Sequence, residues 1–157
     1  MDIVKLTKLK KLQVIRVRTQ ERLLTIDKKA YVDACNNLEK RNTTIQNIQN
    51  EKEALNIYIS TNYVKESPTH RERVHIRRFW LDYDLEMHEY YHEQELNKKN
   101  EAEISYLQRK KIWNKEKQKS TLLTKKLSKC KLLYTAVLEN KEDEISQEDS
   151  FKHGAFK

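Results

Sequence analysis

Residues 88 to 92 read His88-Glu89-Tyr90-Tyr91-His92, a match to H-E-x-x-H. On a helix this spacing puts two imidazoles one turn apart, able to bind zinc, with the glutamate placed to act as general base on a metal-bound water. A catalytic zinc also needs a third protein ligand, a supporting shell and a cleft for substrate. The flanking residues supply none of these: Glu86 and Glu93 bracket the motif, and Gln94 stands where the metallopeptidase families place an apolar residue. A zinc metallopeptidase is therefore the least favoured reading, and a histidine pair on a surface or a helix seam the preferred one. No metal is expected. Phosphate chemistry fails sooner, because Gly154 is the only glycine in the chain and neither a phosphate-cradling loop nor a nucleophile elbow can be built without more. Cys35 and Cys130 have no C-x-x-C spacing and read as small apolar side chains in a reducing compartment. The sequence predicts no cofactor, no small-molecule substrate and no enzyme activity.

What remains that could do chemistry is charge. The net value of +8 hides strong segregation. Residues 1–29 hold nine Lys/Arg against three Asp/Glu, and residues 108–131 hold ten against one, for net charges of +6 and +9. Residues 82–103 carry eight acids against Lys98 and Lys99, a net −6. A smaller basic cluster, Arg71, Arg73, Arg77 and Arg78, lies beside Tyr63, Phe79 and Trp80. Single charges of this kind commonly do no more than solvate helix faces; their sorting by sign implies a field directed at a charged partner. A basic coiled coil that binds nucleic acid, or a scaffold, is the alternative, since lysines release counterions from phosphates whatever the sequence. No nucleic-acid module signature accompanies the lysines, which alternate with leucines instead of base-stacking aromatics, so no nucleic acid is expected.

The elements that must position these residues are helices. At 37 % hydrophobic and 36 % charged, the 157-residue chain has too little apolar material for a thick core. One glycine and one proline leave almost no turn chemistry for a sheet. No stretch approaches the ~18 apolar residues of a membrane span, and charges follow the opening Met-Asp-Ile-Val-Lys where a signal peptide would be apolar. The reversal signal is Lys65-Glu66-Ser67-Pro68-Thr69-His70-Arg71-Glu72. Either Ser67 caps with Pro68 at the first helical position, or Thr69 caps with Glu72. The prediction is all-α: a long antiparallel coiled-coil hairpin over 1–139, with a helix over about 3–64, a bend over about 65–69 and a helix over about 70–139. An acidic, disordered tail is predicted over 140–157. Helices of about 60 and 70 residues would be roughly 90 and 105 Å long.

Three- and four-residue spacing supports the pairing. Leu23, Ile26, Ala30, Ala34, Leu38, Ile45, Ile48, Leu55 and Ile59 form a narrow seam on the first helix. Ile76, Trp80, Tyr83, Met87 and Tyr90 form one series on the second, and Leu123, Leu127, Cys130, Tyr134 and Val137 another. Between the two series the polar residues Gln94, Asn97 and Glu101 are expected to weaken the seam. The same stripe suits an intermolecular coiled coil, but a turn signal near the chain midpoint favours the hairpin. Folding about Pro68 brings the two strongly basic segments side by side, with about fifteen net positive charges at the open end.

Two short stretches carry a resemblance. Leu6-Thr7-Lys8-Leu9-Lys10-Lys11-Leu12-Gln13, leading into the basic first helix, is one; Arg109-Lys110-Lys111-Ile112-Trp113-Asn114-Lys115-Glu116, late in the second, is the other. With the hairpin layout and the acidic end, the chain resembles the stalk subunits of type III secretion systems, the YscO/InvI branch of the FliJ family. The resemblance implies a cytoplasmic rod like the coiled coil of the rotary-ATPase γ subunit, at the cytoplasmic face of the inner-membrane secretion apparatus. Its paired termini would enter the pore of the secretion ATPase hexamer, its bend would face the export-gate protein, and it would bind export chaperones. On that basis Lys8, Lys10, Lys11, Arg16, Arg18, Arg22, Lys110, Lys111, Lys115, Lys119 and Lys126 are the candidate ATPase contacts. Tyr63, Arg71, Arg73, Phe79 and Trp80 are the candidate gate contacts, because aromatic and arginine side chains dominate interface hot spots. For these five, packing at the end of the hairpin is the competing assignment.

Overall fold

Asp2 starts the first helix by capping it: its carboxylate accepts the Val4 N–H at 3.0 Å, and its carbonyl accepts the Leu6 N–H at 3.1 Å. With no glycine or proline to stop it, α1 runs over Ile3–Asn62. The computed structural model describes residues 2–62 and 65–154. The second helix, α2, covers Pro68–Gly154. Of the two caps the sequence offers, Ser67 is used: its hydroxyl accepts the His70 N–H at 3.3 Å, its carbonyl accepts the Arg71 N–H at 3.0 Å, and Pro68 opens the helix, where its missing N–H costs nothing. The reversal is tied down by side chains. Tyr58 donates its hydroxyl to Glu66 and lies 3.1 Å from His70 Nε2, while Arg71 Nε donates to the Glu66 carbonyl at 3.1 Å. The Glu66 hydrogen bond holds the Tyr58 phenol above its ordinary pKa.

The chain is an all-α hairpin of two long antiparallel helices packed as a coiled coil, and it divides into two compact units. Residues 1–24 with 109–157 form one, and residues 25–108 the other. In both, burial repeats every seven residues along α1 and along α2 as far as Cys130, the period of a left-handed coiled coil. Among the described residues of the first unit, Leu6 and Leu127 are the buried apolar side chains, and Gln13 is buried with them. Gln13 Nε2 donates to the Glu116 carbonyl at 3.0 Å and also to the Glu116 carboxylate, while Arg109 Nη1 reaches Gln20 Oε1 at 3.4 Å. Bonding to Gln13, and next the nearby Lys119, holds Glu116 below the ordinary carboxylate range.

In the second unit the α1 series 34, 41, 48, 55 and 31, 38, 45, 52, 59 is half-buried against α2. On α2 the buried residues are Val74 and Leu81, and the series continues through Leu85, His88, His92, Glu95, Lys99, Ala102 and Tyr106. Tyr31 and Tyr106 stack across the seam with ring centroids 5.9 Å apart. Cys35 and Cys130 are both free and half-buried.

Three expectations are corrected. From Ala34 onward the expected α1 seam stands, but before it the frame shifts: Ile26 and Ala30 face solvent, and Leu24, Asp27 and Tyr31 turn inward. On α2, Ile76, Trp80, Tyr83 and Tyr90 are exposed and not in the seam. The seam follows a frame in which several positions are polar, and counting only apolar residues selects the neighbouring one. Gln94, Asn97 and Glu101 are likewise outward, one or two residues from the true polar seam positions Glu95 and Lys99. Third, the segment from residue 140 is helical through Gly154: no proline or earlier glycine breaks it, and Lys141, Glu142, Glu144, Gln147, Glu148 and Lys152 favour helix. No described helix is long and apolar enough to cross a membrane.

Candidate protein-docking site

All eleven basic side chains assigned to one docking surface fall in the first unit. Lys8, Lys10, Lys11, Arg16, Arg18 and Arg22 come from α1, and Lys110, Lys111, Lys115, Lys119 and Lys126 from α2. Ten are exposed, and Lys10 is half-buried at a seam position. Antiparallel packing is what joins them, since residues of α1 and α2 separated by about a hundred positions in sequence lie across the seam, as Gln13 and Glu116 do. Among the described residues, Lys119 alone of the eleven sits within ion-pair distance of a carboxylate, 3.5 Å from Glu116. Charges this close together on two helices, with one acid in residues 108–131 to offset them, sum to a field that acts beyond contact range. Trp113, a half-buried residue of the same unit, lies 4.7 Å under the Lys117 ammonium.

The second cluster is at the bend and belongs to the second unit. Arg73, Phe79 and Trp80 are exposed, Phe79 by 64 % and Trp80 by 51 %. Packing at the hairpin end falls instead to Val74 and Leu81, so the two aromatics are not spent on it. Arg71 is half-buried and bonded to the Glu66 carbonyl, a structural task within the reversal. Tyr63 lies outside the described residues. Two partners missing from the expected set join the outward face: Ile76, which with Pro68, Arg71, Glu72, His75 and Phe79 lines a shallow open groove, and Tyr83, whose ring meets Trp80 edge-to-face at 5.7 Å. Phe79 meets Trp80 the same way at 5.6 Å, so three aromatic rings run in contact along one exposed stripe. Their spacing was visible in the sequence; the side of the helix was not.

The H-E-x-x-H residues have a different role from the one their spacing suggests. His88 and His92 are half-buried seam residues. Arg41, reaching over from α1, places Nη1 2.7 Å from His88 Nδ1. Because a guanidinium can only donate, His88 presents a lone pair at Nδ1 and carries its proton at Nε2. The same arginine forms a forked pair with Glu95, with Nη2 2.9 Å from one carboxylate oxygen, and stacks 5.3 Å from the Tyr91 ring centroid. The Glu95 bond holds the guanidinium above its ordinary pKa. A fixed cation bonded to one histidine of the pair opposes a dication there, and among the described residues no group of three His, Cys, Asp or Glu is arranged to hold a metal.

The fold is a coiled-coil hairpin with one exposed cationic cluster in its first unit and one exposed aromatic cluster in its second. No known family, curated protein or solved structure matches the chain.

Proposed function

We propose that this chain is a non-catalytic stalk protein of a type III secretion system, binding the secretion ATPase hexamer through its first unit and linking it to the export gate through the bend of its second. The observation that carries the reading is the gathering of ten exposed Lys/Arg side chains from both helices into one unit. Acidic loops lining a ring pore are the complementary surface. A hairpin inside a ring contacts its subunits unequally, and unequal contact biases their conformations, so that hydrolysis becomes sequential; the effect is one of binding, with no chemistry on the stalk itself. The bend contributes Arg73, Phe79 and Trp80 to the gate, and export chaperones are further partners. The place of action is the cytoplasmic face of the inner-membrane secretion apparatus.

The test is reversal of charge at Arg16, Arg18 and Arg22, three exposed side chains of α1. With helicity preserved, the triple Glu variant is expected to lose binding to the secretion ATPase and to lower stimulated ATP turnover. Turnover equal to that given by the parent protein excludes those side chains. Capture of RNA or DNA in place of the ATPase, abolished by nuclease, would move the assignment to nucleic-acid binding, which the same cationic surface would also serve.

A further inference from the structure

Residues 131–154 of α2 are exposed at every position, although the segment is not uniformly polar. It is the end of a three-block pattern. Residues 125–131 hold Lys125, Lys126, Lys129 and Lys131 with no acid. Residues 132–138 then supply Leu132, Leu133, Tyr134, Val137 and Leu138, each at least 42 % exposed. Residues 139–149 carry six acids against Lys141. The apolar block continues the seam of the first unit: Tyr134 and Val137 follow Leu127 and Cys130 at seven residues, the spacing at which α1 is packed. Leu127 is buried and Cys130 half-buried, whereas the next turns of the same stripe, Tyr134 and Val137, are exposed.

We propose that a second copy of this chain covers this stripe, the two α2 ends crossing antiparallel near Ala136. The order of the blocks chooses both the occupant and its direction. In an antiparallel crossing the apolar turns meet each other, and the lysines at 125–131 of each copy run beside the acids at 139–149 of the other. A parallel crossing stacks lysines on lysines and acids on acids, which is repulsive at both charged blocks. The sequence is thus complementary to itself in one orientation, and a two-fold axis satisfies both ends at once. The acidic arm of each copy then lies beside the lysines at 125–131 of the other, so an acidic ligand of those lysines must displace it. The inference does not depend on the secretion-stalk reading.

Sedimentation equilibrium on the full chain, from low to high micromolar concentration, is the test. A dimer that weakens as salt is raised is expected. Leu133→Asp with Val137→Asp should give a monomer whose circular dichroism is unchanged. Two charge variants avoid touching the apolar turns. Lys125→Glu, Lys129→Glu and Lys131→Glu form one set; Asp143→Lys, Glu144→Lys and Glu148→Lys form the other. Each alone should raise the dimer Kd by about tenfold or more, and an equimolar mixture of the two should recover parental affinity, since each repairs the other in the antiparallel arrangement. A chain that stays monomeric at high concentration, a dimer indifferent to Leu133→Asp with Val137→Asp, or a mixture no tighter than its components would each overturn the proposal.

Discussion

Replacing Arg41 by leucine removes a cation from the middle of the second unit's seam and leaves Glu95 facing an apolar neighbour. The size of the effect follows from exposure. The Arg41 and Glu95 side chains are 26 % and 21 % exposed, between the surface pairs that contribute about 0.2–1 kcal/mol and the buried pairs whose disruption costs about 3–5 kcal/mol. Geometry argues for the middle of that span. Nη2 is 2.9 Å from one carboxylate oxygen, Nε is 3.3 Å from both, and Nη1 bonds His88 at 2.7 Å, so one side chain satisfies two partners on α2. The single variant should therefore lose about 2 kcal/mol, and a cycle with Glu95→Leu should return a coupling of about 1–1.5 kcal/mol. Converting Arg41, His88 and Glu95 together to leucine fills three seam positions with apolar side chains, and this triple variant is expected to match or exceed the parent in stability. Urea unfolding followed by circular dichroism measures all five species, the parent, the two single variants, the double and the triple, provided the slopes agree. A coupling below about 0.3 kcal/mol would mean that the cluster is a solvated surface pair, and the account of His88 as a seam acceptor would fall with it.

Leu81 is 1 % exposed and Trp80, its neighbour, 51 % exposed, so Leu81→Ala should cost about 2–3 kcal/mol and Trp80→Ala less than about 0.5 kcal/mol in the same assay; the reverse order would put the seam in the other frame. Gln13→Leu removes the main cause of the lowered Glu116 pKa, so Glu116 followed by NMR should titrate closer to its ordinary value of 4.5. In the parent that carboxylate's contribution is present above its ordinary value and lost as pH falls through the lowered folded one, and the variant should lack this part of the acid sensitivity. Tyr58 is shifted upward, so its contribution is complete below the ordinary phenol value of 10.0 and lost as pH rises through the raised one. Tyr58→Phe should lower stability at neutral pH and flatten the alkaline limb of a stability–pH curve.

The sequence made the hairpin legible through scarcity. With one proline, one glycine and no other breaker, Ser67-Pro68 was the only place where two helices of this length could part. The seam was legible where it is aliphatic, as at Ala34, Leu38, Ile45, Ile48, Leu55 and Ile59, and again at Leu123, Leu127 and Cys130. It was lost between Leu81 and Glu116, where the buried stripe passes through His88, His92, Glu95, Lys99 and Arg109. A neighbouring frame there holds Ile76, Trp80, Tyr83, Met87 and Tyr90, equally periodic and more apolar, and periodicity alone cannot rank two frames on one helix. What ranks them is the opposing helix. Arg41 offers a cation that only the frame containing His88 and Glu95 can use. The cationic cluster was legible because it needs only antiparallel pairing, a coarser property than register. The bonds of Tyr58 to Glu66 and His70 were not, since they depend on how tightly the chain turns.

Charged seam residues also decide between a hairpin and a filament of parallel chains. In a parallel self-pairing each seam residue meets its own copy, which sets Arg41 against Arg41, Lys52 against Lys52, Glu95 against Glu95 and Glu116 against Glu116, half-buried and of like sign. Folding back exchanges each of these encounters for a favourable or neutral one. Arg41 meets Glu95 and His88, Lys52 meets Asp82, and Glu116 meets Gln13. An all-leucine seam would hold either assembly more tightly and would not distinguish them. The polar positions therefore give up apolar contact along the helices and exclude the parallel pairing that an uninterrupted α-helical sequence otherwise invites. The same logic applies to the uncovered end of α2, where sign, not hydrophobicity, again sets which way a second helix can lie.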